Sequence, residues 1–183
     1  MGKWKRQTLK LKENHGWRAK PGYKIFVADR GAVRFDIPQE WIMDPGKDSI
    51  KFHDRTPPDD DCLLQVSVLH LSPRIDWSGI PLAQLLEGAI KGDERGVVSR
   101  QDIIHKKRSD MELVWTETTF IDPTEQREAR SRICLARGSN IQPPITMDFW
   151  PEHAEQFVPV WDEVLRSLVL GEYIEDPTRR TLQ

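Results

Sequence analysis

The sequence is poor in cysteine and in uninterrupted apolar stretches, and each shortage closes off a class of protein. Cys62 and Cys134 are the only two cysteines in 183 residues and form no CxxC pair. A disulfide framework and a four-cysteine zinc module are therefore excluded, and two reduced structural thiols are expected. No apolar run approaches the ~20 residues of a membrane-spanning helix. The opening MGKWKRQTLKLKENHGW also lacks the apolar segment of a secretory signal. A cytoplasmic protein without a transmembrane segment is expected. Catalytic signatures are missing too: there is no G-x-S-x-G elbow and no phosphate-binding glycine loop, since GDERG and RGSN are short turns. No cofactor-binding motif is legible, and the expectation is of no enzyme and no cofactor.

What is present is material for one core. The chain is 38% hydrophobic and carries seven tryptophans, which argues against disorder throughout, and its length suits one domain. Charge is unevenly spread. Residues 1 to 24 hold eight Lys or Arg against Glu13 alone, about +7, which leaves about −9 elsewhere for a total of −2. The expected organisation is a basic arm at 1–23, a domain at 24–171 and a polar tail at 172–183.

Periodicity assigns the elements. KIFVAD and AVRFDIP read as a hairpin turning at Arg30 and Gly31, and Pro38 ends its second strand. QEWIMDPGKD reads as a loop. SIKFHD alternates as a half-buried strand, DRTPPDDD turns the chain, and CLLQVSVLHL follows as a central strand with Leu64, Val66, Val68 and His70 on one face. Leu82, Leu85, Leu86 and Ala89 recur at helical spacing, with Ser78 or Gly79 as the cap, Pro81 in the first turn and Gly92 as the stop. DIIHKKR, MELVWTETTFID and EQREARSRICLARG read as a meander, followed by the strand PITMDFW. Phe157, Trp161, Val164, Leu165 and Leu168 then mark a second helix. Pro159 places its regular start near Val158, because an internal proline costs roughly 3 kcal/mol.

Three places could carry function. FHDRTPPDDDCLLQVSVLHL gathers His53, Asp54, Asp59, Asp60, Asp61, Cys62 and His70 within twenty positions. These are suitable metal-ligand types at poor spacing, without the glycine or the Asp-x-Asp-x-Asp rhythm of a calcium loop. The stretch reads as two strands joined by an acidic turn, with no metal. His70 would bond a carbonyl at the core edge; as a general base it would need a positioned nucleophile, and none is legible. A pocket using His70 and Asp59 to Asp61, for a small ligand or a reaction, is the alternative reading. The arm interleaves Trp4, Trp17 and Tyr23 with cations such as Arg18 and Lys20, a composition that can meet bases, acidic lipid or the acidic domain itself. Trp77, in IDWSG, is either a core plug or a docking aromatic. Trp4, Trp17, Arg18, Lys20, Asp59, Asp60, Asp61 and Trp77 thus form the candidate partner surface.

VRFDIPQEW, SIKFHD and the ending ITMDFW…FVPVWDEVLRSLVL, with its Ser near the helix end, resemble the recurrent pieces of the PsbP-like family over about residues 25 to 170. The resemblance implies an α+β fold, with a central antiparallel β-sheet of about six to seven strands flanked by helices as an α/β/α sandwich. It also implies a protein without chemistry of its own. The photosystem subunit of this family and its Ran-binding nuclear-import relative both dock on a larger partner. A lumenal targeting sequence like that of the first is lacking, and no Ran-contacting surface maps onto this chain. An unidentified protein partner is the expectation, with nucleic acid or an anionic surface as the alternative through the arm.

Overall fold

The computed structural model describes residues 13–174. Strands β1 (Tyr23–Ala28) and β2 (Val33–Pro38) form the expected hairpin, with Tyr23 opposite Pro38 and Ala28 opposite Val33. Its turn, Asp29–Gly31, has positive φ at all three residues: 45°, 57° and 109°. Glycine is required at the third, because a Cβ there would lie 2.1 Å from the Glu172 carbonyl oxygen.

Next come β3 (Ile42–Pro45), β4 (Ile50–His53) and β5 (Cys62–Val66), then α1 (Leu82–Lys91), β6 (Val97–Arg100) and β7 (Ile104–Lys107). The long strands β8 (Glu112–Ile121) and β9 (Glu128–Arg137) lead through β10 (Pro144–Phe149) into α2 (Ala154–Ser167) and β11 (Val169–Leu170). Eight strands make one sheet in the order β3-β4-β5-β10-β9-β8-β6, with β7 sharing the β8 edge beside β6. Every pairing in it is antiparallel.

The α+β character stands, but a single sheet of six to seven strands does not. The β1–β2 hairpin leaves the large sheet and joins β11 in a second sheet of order β1-β2-β11. Pro38 ends β2, the Trp41 N–H closes a turn onto the Pro38 carbonyl, and Val169 and Leu170 occupy the free edge of β2. Two short edge strands were unreadable. β3 lies inside the predicted loop and is built by Ile42 and Met43 opposite His53 and Phe52, and β6 lies within GVVSR.

The two faces of the large sheet are covered differently. On one, the small sheet and α2 bury Phe26, Phe35, Phe52, Leu64, Trp115, Ile145, Met147, Phe157 and Trp161 in a single cluster. Phe26, Phe35 and Phe52 meet at centroid distances of 4.8–5.9 Å. On the other, Leu82, Leu86 and Ile90 of α1 cover Val114, Ile133 and Leu135.

The helix ends follow local chemistry. Gly92 stops α1 as expected. Its cap is Pro81, not Ser78, because the Ser78 hydroxyl and N–H both bond the Asp76 carboxylate. A 3-10 turn at Pro151–His153 runs straight into α2, so the helix starts at Ala154 and holds Pro159 inside it. The lost hydrogen bond is offset by burying Phe157, Val160 and Trp161, at roughly 1.5–3 kcal/mol each. Leu168 is buried beyond the last turn. Ser167 closes the helix: its hydroxyl donates to the Glu163 carbonyl at 2.7 Å and accepts the Asp36 N–H at 2.8 Å, pinning α2 to β2. Among the described residues no helix is long and apolar enough to cross a membrane.

Candidate functional site

Along the α1 face of the large sheet three features follow one another: loop 67–81, α1 itself, and a cleft beyond its C-terminus. The register of β8 and β9 fixes this order. Arg137, at the end of β9, holds the loop; Ile133 and Leu135 lie beneath α1; and Ser131 meets Arg95, just past the helix.

Loop 67–81 exposes apolar side chains on a fixed backbone. Leu69, Ile75 and Ile80 keep 48%, 51% and 38% of their surface in water. The Arg137 guanidinium donates to the carbonyls of Trp77 and Ile80 at 2.8 and 2.9 Å. Trp77 itself is half-buried, and its indole N–H donates to the Ser72 carbonyl at 2.9 Å. It therefore braces the loop from within while its neighbours face outward.

The acidic turn between β4 and β5 spends most of its charge on itself. One Asp54 carboxylate oxygen accepts the N–H groups of Asp61 and Cys62, both at 2.8 Å, and so closes the turn. Asp60 bonds the Nδ1 of buried His53 at 2.8 Å, while Asp61 pairs with Arg55 and lies 3.5 Å from the Nε2 of His153. Asp59 is exposed, and among the described residues no partner engages its side chain. No group of three His, Cys, Asp or Glu side chains among the described residues is placed to hold a metal ion.

Behind this turn opens a cleft of about 340 Å³. Leu63, Phe120, Ala129 and Phe149 form its apolar lining, and Asp60, Asp61, Asp122 and Asp148 bring carboxylates to it. Arg95 reaches in from the turn after α1. Its guanidinium stacks on the Phe120 ring at 4.0 Å, donates to Asp148 at 2.6 Å and forks onto Asp93 at 2.8 and 3.0 Å. The Ser131 hydroxyl donates to the other Asp148 oxygen at 2.5 Å. Burial pushes the Asp148 carboxyl up although Arg95 and Ser131 pull it down, whereas the bond from Arg95 holds Asp93 below the usual carboxylate range. At the rim Arg127 stacks on Trp150 at 3.6 Å and pairs with Glu152 at 2.5 Å.

The alternative reading put Asp59, Asp60, Asp61 and His70 in one pocket; Asp60 and Asp61 do line the cleft, whereas Asp59 and His70 do not. His70 lies beyond the end of β5, bridged to Ile141, and is half exposed; its Nε2 bonds the Asp29 carboxylate at 2.5 Å instead of a core-edge carbonyl. The alternative pocket around His70 is thereby corrected, and the histidine beside Asp60 is His53. Arg95 and Asp148 were not foreseen, since 53 positions separate them and nothing local marks either.

The arm residues fare differently. Trp4 lies outside the described residues. Trp17 is engaged: Arg34 stacks on its ring at 4.0 Å, and its indole N–H donates to Glu172 at 3.0 Å while the same carboxylate pairs with Arg34 at 2.6 Å. Arg18 and Lys20 are exposed, Lys20 lying 5.4 Å from the Tyr23 ring. Cys62 and Cys134 are free and buried, and burial raises both thiols well above their ordinary range, so both stay protonated.

Comparison with known proteins places this architecture. The chain is similar to the uncharacterized protein alr1449 of Nostoc sp., with 52% identity over 176 residues that cover 96% of this chain and 91% of the relative. Among solved structures it is similar to the cyanobacterial PsbP protein CyanoP of Synechocystis sp., with a TM-score of 0.63 and 10% identity over 86% of this chain and 98% of that one. It is also similar to the Ran-binding protein Mog1p of Saccharomyces cerevisiae, with a TM-score of 0.51 and 8% identity over 81% of this chain and 95% of that one. The fold is PsbP-like, as VRFDIPQEW and the C-terminal helix led us to expect. A family model described as Alr1449 matches residues 24–174, and the chain belongs to the Alr1449 family.

Proposed function

We propose that this chain is a non-catalytic docking domain that attaches to a larger protein partner through the α1 face of its large sheet. The observation that carries the reading is the pinned loop 67–81. It presents Leu69, Ile75 and Ile80 to solvent from a backbone bonded at Trp77 and Ile80 by Arg137, at Leu69 by the Gln142 N–H and at Ile75 by the Ser72 carbonyl, so little ordering entropy remains to be lost on binding. Several exposed apolar side chains carried by one hydrogen-bonded loop suit a protein interface. One solved protein of similar fold, Mog1p, is named for binding Ran, so docking is a use to which this fold is put. The docking unit is the domain at 24–171. Trp17, whose ring and N–H are both engaged, is a poor platform for stacking on bases, which favours a protein partner over nucleic acid.

The test is affinity capture from the native host, with the intact chain, a chain starting at Lys24, and the triple variant Leu69→Ser, Ile75→Ser, Ile80→Ser. A partner held by the first two and lost by the third, with the circular dichroism spectrum of the variant unchanged, is the expected result. Equal retention by all three overturns the placement of the surface on this loop. Turnover of a substrate by the purified chain, abolished by one cleft substitution, overturns the non-catalytic reading.

A further inference from the structure

We infer that the cleft behind the acidic turn is a receptor for an arginine side chain presented by a protein segment. Three observations converge on a guanidinium. First, the cleft is mixed in the way a long cationic side chain requires: Leu63, Phe120, Ala129 and Phe149 offer apolar surface to methylenes, and carboxylates stand around it at Asp60, Asp61, Asp122 and Asp148. Those four acids face Arg95 as the single basic residue of the lining. Some of their capacity is already used, by His53 at Asp60, by Arg55 and His153 at Asp61, and by the Thr124 and Glu125 N–H groups at one oxygen of Asp122. Each of these contacts leaves further lone pairs on its carboxylate.

Second, the chain itself performs this recognition at the base of the cleft. Arg95 stacks on Phe120 at 4.0 Å and donates to Asp148 at 2.6 Å, which is how an aromatic face and a carboxylate jointly hold a planar cation. Trp150 repeats the stacking at the rim, with Arg127 over its ring at 3.6 Å. Third, Asp148 stays reachable from the cleft: Arg95 and Ser131 each hold one of its oxygens, yet 32% of its side-chain surface remains exposed, so a further cation can approach its carboxylate. A peptide-borne arginine suits the site better than the free amino acid, whose α-carboxylate would be carried into a ring of aspartates.

The site goes beyond the docking reading, on which it rests only for the protein that supplies the arginine. It can be tested without that protein. The intact ¹⁵N-labelled chain is titrated with N-acetyl-arginine amide, with the uncharged isostere N-acetyl-citrulline amide, and with free L-arginine, while backbone and indole resonances are followed. The expected result is saturable shifts at Leu63, Phe120, Ala129 and Trp150 with the arginine amide, weaker ones with free arginine and none with the citrulline amide. Asp148→Asn weakens the binding by about tenfold or more, the usual loss for a charge-assisted bond. Asp61→Asn, on the rim, serves as a second variant should Asp148→Asn disturb the fold, and it weakens binding several-fold. Equal shifts from arginine and citrulline amides, or arginine shifts unchanged in a folded variant, overturn the inference. So does the absence of any shift. Each of these failures leaves partner capture through loop 67–81 intact, so the two readings stand or fall separately.

Discussion

The two faces of the large sheet use the same strands to opposite ends. On the α2 face, the side chains of β4, β5 and β10 meet the small sheet and α2 in one continuous apolar cluster, and Trp161, Phe35 and Phe52 lose nearly all contact with water. On the α1 face, a ten-residue helix covers only part of the sheet, and both of its neighbours, the loop before it and the cleft after it, remain open. The first face is where stability resides. The second keeps apolar and charged groups in view, as the proposed docking surface requires.

This contrast can be broken from its stable side first. Trp161→Ala removes a fully buried indole and its edge contact with Trp115 at 5.8 Å. We expect it to cost about 3–5 kcal/mol of unfolding free energy in urea titration. Leu86→Ala, the deepest residue of α1, is expected to cost less, about 2–3 kcal/mol, and to leave the α2 face native by near-ultraviolet circular dichroism. If Leu86→Ala proves the more damaging, the division of labour between the faces is wrong.

The cleft sharpens the comparison through pH. Asp148 and Asp93 share Arg95 but are shifted in opposite directions. A carboxyl raised by burial contributes stability that is present at low pH and lost as pH rises through its folded value. Relative to Asp148→Asn, the native chain should therefore lose stability as pH climbs through and above the ordinary carboxylate range. A lowered carboxyl contributes stability above its unfolded value and loses it as pH falls through its folded one. Relative to Asp93→Asn, the native chain should gain stability as pH climbs from below that range up through it. Urea midpoints at a series of acidic pH values check both signs. The smallest effect is reserved for the loop: the Leu69, Ile75, Ile80 triple serine variant should unfold within about 0.5 kcal/mol of the native chain while losing its partner.

Legibility in the sequence followed element length. β8, with Leu113, Trp115 and Glu117 opposed to Val114, Thr116 and Thr118, was readable because ten residues give alternation room to show. The four residues of β3 and of β6 do not. The hairpin β1–β2 was legible as a hairpin but not as part of a separate sheet, because its third strand is a two-residue segment arriving from the far end of the chain. The acidic turn was recognisable as a turn from its prolines and aspartates. That it walls a cleft depends on Arg95 and Asp148, which only the register of β9 and β10 brings together. The exposed apolar loop carried no signal, since Leu69, Ile75 and Ile80 have the composition of core residues.

The knot of Trp17, Arg34 and Glu172 has a consequence for how the chain can be handled. One carboxylate receives the indole of the entering segment and the guanidinium of β2, while Glu172 itself belongs to the departing segment. Trp17 and Glu172, 155 positions apart, therefore meet at one corner of the small sheet. A short linker from Glu172 to Trp17, in place of the residues outside them, with new termini opened in the β8–β9 turn, would give a circular permutant of the domain with the same packing. In such a permutant the corner would become an internal loop and the cleft lining at Asp122 would lie beside a free end, moving a reporter from the small-sheet corner to the edge of the cleft.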